Sequence, residues 1–121
     1  MKSTLTIKLE MYCTQIKFTV VDDLIKEVQK TFRRDKVNHN LDVNDTTEGV
    51  FLYYNPQNYS IVIAQKFLTH NTLAHEIYHA VRHITEDRDI NDQEAQAWLM
   101  GHLTEKIYRF LDRRKLTIKH G

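Results

Sequence analysis

Residues 72–84 read Thr72-Leu73-Ala74-His75-Glu76-Ile77-Tyr78-His79-Ala80-Val81-Arg82-His83-Ile84. The stretch holds no Pro or Gly, and Leu73, Ile77, Ala80, Val81 and Ile84 recur at helical spacing. This predicts an amphipathic helix with one side packed on a core. His75, His79 and His83 fall on a different side. Because His75 and His79 are four positions apart, they lie one above the other on the helix face. Both imidazoles can reach a single zinc ion at about 2.0–2.1 Å per Zn–N bond. Glu76 flanks the same face, placed to take a proton from a water rather than to bind the metal. His83 sits two turns beyond His75, about 12 Å along the axis. One ion is not easily shared over that distance. His83 reads instead as a helix-end residue favoured by the dipole, or as a group behind the ligands.

A catalytic zinc normally takes three protein ligands and keeps a fourth position for water. The best remaining candidate is Glu94, at the start of a second helical stretch, 91–111. Asn91 is a good N-cap there, and Glu94 three residues on makes a capping-box-like start. Glu94 therefore also has a plainly structural reading. Its stripe continues through Ala97, Gly101, Thr104 and Tyr108. A Gly inside a helix costs about 0.5–1 kcal/mol against Ala, so the small residues predict close approach of a neighbour, the histidine-bearing helix. Ala95, Leu99, Leu103, Ile107 and Phe110 form a separate core stripe. Asp92 is a competing carboxylate two residues earlier.

The pattern His75-Glu76-x-x-His79, then His83, then Glu94-x-x-Ala97 with a following apolar helix, resembles the small zincin metallopeptidases. The nearest likeness is to ImmA/IrrE-type domains and to short H-E-x-x-H proteins of phages and mobile elements. It covers roughly residues 60–111 and is strongest over 72–99. The resemblance implies a gluzincin arrangement, with His75, His79 and Glu94 holding Zn2+ and Glu76 as general base in peptide-bond hydrolysis. It also implies a second donor to the oxyanion, for which Tyr108, Tyr78, His102 and Tyr54 are candidates. In zincin-like folds an edge strand pairs with an extended peptide substrate. Strand 50–54 or strand 59–64 fits that part. A different reading is a non-catalytic zincin-fold regulatory or interaction module of a phage or mobile element. The intact Glu76 argues for turnover, since a retired site needs no base.

Elsewhere, Thr4–Leu9 and Gln15–Val21 alternate like strands. Asp22 or Asp23 caps a helix through about Arg34, with Leu24, Ile25, Val28 and Phe32 as its buried stripe. Residues 35–47 are polar and read as a loop. Val50–Tyr54 and Tyr59–Ala64 read as a hairpin around Asn55-Pro56-Gln57-Asn58. Thr69 or Asn71 caps the histidine helix, Thr85–Ile90 reads as a charged loop, and 113–121 as a frayed basic tail. The order β-β-α-β-β-α-α predicts a small α+β domain, zincin-like, with a twisted antiparallel or mixed sheet packed on the histidine helix and on the helix after it.

The 121 residues are expected to form one domain, 1–121. A net charge of +1 gives no argument for nucleic acid as a partner. Lys30, Arg33, Arg34 and Lys36 read as a solvated helix face. The lone Cys13 excludes an intrachain disulfide and reads as a half-buried strand residue. The N-terminus alternates without a continuous apolar core, so it is not read as a secretory signal. No run approaches membrane-span length. These features predict a cytoplasmic protein, and the zincin resemblance implies a protein or peptide substrate as its partner.

Overall fold

The computed structural model describes residues 1–35 and 46–119, with the side chains of 32–35 and of Tyr54 outside that description. The sequence-predicted loop at 35–47 therefore lies almost wholly outside the described residues. The fold is α+β. Its strands are β1 (Lys2–Leu9), β2 (Thr14–Val21), β3 (Gly49–Asn55) and β4 (Asn58–Ala64). Its helices are α1 (Leu24–Asp35), α2 (His70–Asp87) and α3 (Gln93–Arg113). The sheet is mixed, in the order β1-β2-β4-β3. β1 runs antiparallel to β2, β2 parallel to β4, and β4 antiparallel to β3. β3 is thus an outer strand and β4 an inner one, which settles which of the two hairpin strands offers an edge.

Strand alternation sorts the side chains onto two faces. Ile7, Ile16, Phe18, Val20, Tyr59, Ile61 and Ile63 form one core with Leu73, Ile77, Val81 and Ile84 of α2 and Leu99, Leu103, Ile107 and Phe110 of α3. On the opposite face Val50, Leu52, Val62 and Ala64 pack with Leu24 and Val28 of α1. Full burial of one such aliphatic chain is worth about 1.5–3 kcal/mol. Since Val50 and Leu52 face α1, the intervening Gly49, Phe51 and Tyr53 face α2.

Several local expectations are corrected. α2 continues to Asp87 rather than ending near Ile84. Its last turn is tied down: the buried Thr85 hydroxyl donates to Val81 O, and Tyr59 donates its hydroxyl to Asp87. Arg88 then clasps three segments through Tyr12 O (2.9 Å), the Tyr59 hydroxyl (3.1 Å) and Pro56 O (2.5 Å). The cap of α3 is Asp92, not Asn91, and it accepts from Glu94 N at 3.0 Å. Cys13 is exposed in a left-handed turn (φ 52°), not half-buried in a strand. The tail is not frayed through residue 119. Leu116 and Ile118 pack on the core, and Lys119 N donates to Leu68 O at 2.8 Å. No helix among the described residues is long and apolar enough to cross a membrane.

Candidate active site

α2 starts where Thr69 accepts a hydrogen bond from Thr72 N, one of the two N-caps the sequence offered. From there the 3.6-residue repeat fixes three directions around the helix. Leu73, Ile77 and Ile84 point into the core. His70 points toward α3, where its Nδ1 lies 2.6 Å from the Tyr108 hydroxyl and the two rings stack. His79, nine residues on, is about 180° away around the helix at 3.6 residues per turn. It faces the other flank, where the Phe51 ring of β3 stacks near it at 6.5 Å. His83 is held on that flank by Phe51 at 4.9 Å and Tyr53 at 5.6 Å.

The structure brings His75 and His79 together, with their Nε2 atoms 3.0 Å apart. Two nitrogens on one tetrahedral zinc, each at about 2.0–2.1 Å, stand about 3.3 Å apart. The pair therefore converges at nearly the spacing of a chelate. His79 is partly buried, and burial, then the neighbouring His75 and His83, holds its pKa below the ordinary imidazole value. That favours the neutral form, which is the form that ligates metal.

Glu76 lies beneath the pair. It is only 6% exposed, and Oε1 stands 3.9 Å from His75 Nε2. Its other oxygen, Oε2, is buried without a hydrogen-bond partner among the described residues. Burial raises the carboxyl pKa, opposed only in part by His75. A buried, unpaired carboxyl costs free energy, and such groups concentrate where a reaction needs a proton acceptor. Gly49 makes the burial possible. A Cβ there would meet Val62 O at 3.3 Å and Glu76 Cγ at 3.4 Å, so β3 lies close over the glutamate.

The structure does not bring Glu94 to the pair. Glu94 is exposed in the first turn of α3, which packs on the His70 flank of α2, while the converging nitrogens of His75 and His79 lie on the β3 flank. Among the described residues no group of three or more His, Cys, Asp or Glu side chains is set to hold a metal ion. The small-residue argument behind Glu94 also fails, because none of the described residues lies within 4 Å of a Cβ built on Gly101. Tyr108 is turned to His70, and burial raises its pKa. His102 stacks on the half-exposed Trp98 of α3. Both of these contacts are made on the α3 side. Tyr78 is half exposed and engages Arg82, and the side chain of Tyr54 lies outside the described residues.

The residues the sequence did not single out are on the β3 side. Glu48 accepts from the Thr72 hydroxyl at 3.1 Å, and it lines a cavity of about 300 Å3 with Gly49, Asn71, Thr72, His75 and Glu76. The signal was present in the alternation Gly49, Phe51, Tyr53, which puts these three on one face of the strand. No protein-family model, curated protein or solved structure matches this chain.

Proposed function

We propose that the chain is a zinc-dependent metallopeptidase of the small zincin kind, acting on a protein or peptide. The observation that carries this is the convergence of the His75 and His79 Nε2 atoms, 3.0 Å apart, beside a buried carboxylate with one oxygen unpartnered among the described residues. His75 and His79 fit a zinc ion as a two-imidazole chelate. Zinc held there would polarise a substrate carbonyl and make an adjacent water more acidic. Glu76 takes the water's proton and returns it to the leaving amine, a role suited to a carboxyl whose pKa burial raises. β3 offers its outer edge beside the pair, where backbone groups can align an extended peptide.

The exposed, cap-side position of Glu94 favours a second reading, a non-catalytic regulatory or interaction module with the same fold. A proteome-wide comparison of cleavage sites separates them, using zinc-supplied wild type against Glu76→Gln. The peptidase reading expects cut sites that only the wild type produces. Identical patterns would leave the second reading.

A further inference from the structure

The groove between α2 and β3 has two unlike ends, one reaching His75 and the other reaching His79. β3 and α2 run alongside each other in the same direction. Glu48 sits against Thr72, Gly49 against Glu76, Phe51 against His79 and His83, and Tyr53 against His83. At the low-numbered end is the polar cavity of about 300 Å3, walled by Glu48, Asn71, Thr72, His75 and the buried Glu76, whose Oε2 has no hydrogen-bond partner among the described residues. At the other end is an aromatic shelf of Phe51, Tyr53 and His83, with Tyr53 46% exposed.

We propose that this groove selects peptides carrying a basic side chain for the Glu48 cavity and an aromatic or large apolar side chain for the shelf, on opposite sides of the bond presented to His75 and His79. The proposal rests on reading the α2–β3 groove as a substrate cleft. Charge complementarity decides the first half. Glu48 is the anionic wall, kept in place by the Thr72 hydroxyl and favoured by the positive end of α2. Its carboxylate can form a charge-assisted hydrogen bond to a lysine ammonium or an arginine guanidinium. The Asn71 amide adds a polar partner along the same wall. The second half follows from ring geometry. Tyr53 and His83 present faces and edges that accept another ring or a long aliphatic chain. With anchors of different chemistry, a peptide lies in one direction only.

The test uses the full chain with zinc and fluorescein-labelled peptides, each with Lys, norleucine or Glu on one side of a central Ala-Ala and Phe or Ala on the other. Binding is read by anisotropy on Glu76→Gln and cleavage on the wild type. The proposal expects Lys to bind about tenfold more tightly than norleucine, and Glu to bind worst. In Glu48→Gln, which retains an acceptor for Thr72, the Lys preference disappears while peptides with norleucine keep their affinity. In Tyr53→Ala the Phe preference falls and the Lys preference stays. Cleavage that ignores the Lys position, with equal binding of Lys and norleucine, overturns the selectivity and leaves the peptidase reading standing. Neither binding nor cleavage of any peptide overturns both. Selective binding without cleavage by zinc-loaded wild type supports the cleft and contradicts the peptidase reading.

Discussion

At the scale of single residues, Glu76 carries an internal conflict. It is buried, its Oε2 has no partner among the described residues, and its neighbour His75 compensates only in part. An unsatisfied buried polar group costs about 1–3 kcal/mol. Glu76→Gln keeps the shape and removes the charge. The metal-free variant is therefore expected to be more stable than the parent at pH 7 by on the order of 1 kcal/mol, measured by urea unfolding. The same substitution is expected to lower turnover by about 10²–10⁴-fold, the usual worth of a positioned general base. A variant that gains stability and loses activity marks a residue kept for chemistry. One that loses both would mean that Glu76 holds the fold.

Two glycines give opposite predictions for the same change. Gly101 lies in the interior of α3, and none of the described residues comes within 4 Å of where a Cβ would go. Gly101→Ala is expected to stabilise by about 0.5–1 kcal/mol, because the helix gains propensity and meets no clash. Gly49 is confined by Ile63 at 3.2 Å and by the Val62 carbonyl at 3.3 Å. Gly49→Ala must push β3 off β4 or off Glu76, and is expected to destabilise by about 1–3 kcal/mol. Denaturation midpoints of the two variants should shift in opposite directions.

At the scale of elements, the sequence was most legible where the chemistry is local. The pairing of His75 with His79 depends only on four-residue spacing along one helix, and it is as expected. The strands 4–9, 15–21, 50–54 and 59–64 were legible because alternation is also local. Glu94 was not legible in the same way. Its placement depends on which flank of α2 receives α3, and that is decided by His70, Tyr108 and the shared core around Ile77 and Leu103. Nothing in a helical stripe records which neighbour it will meet. Gly101 misled for this reason: a small residue is needed for close packing, yet its presence does not show that packing occurs. The tail misled in the opposite sense. Leu116 and Ile118 alternate across only a few residues, too few to read as an element, yet both pack on the core.

At the scale of the whole molecule, the end of α2 away from its N-terminus is a structural knot. Arg88 joins the turn before β2, the β3–β4 hairpin and α2, while Tyr59 donates to Asp87. Burial first, then the Asp87 hydrogen bond, pushes the Tyr59 pKa up to about 12 from 10.0. The folded state thus holds this proton more tightly than the unfolded chain. The associated stability is fully present below about pH 10, and it is lost as pH rises toward about 12. Wild type should lose stability across that window by thermal melting, and Tyr59→Phe should lose less of it. Equal alkaline losses in both proteins would remove Tyr59 from the account.

The central claim is that His75 and His79 together hold a zinc ion over Glu76. Zinc titration of the metal-free full chain, read by calorimetry, tests it most directly, with His79→Ala, Glu94→Gln and Glu76→Gln titrated beside it. The account predicts about one zinc per chain in the parent and in Glu76→Gln, loss of at least tenfold in affinity in His79→Ala, and little change in Glu94→Gln. A parent that binds no zinc, or a His79→Ala variant that binds it as tightly as the parent, would contradict the claim.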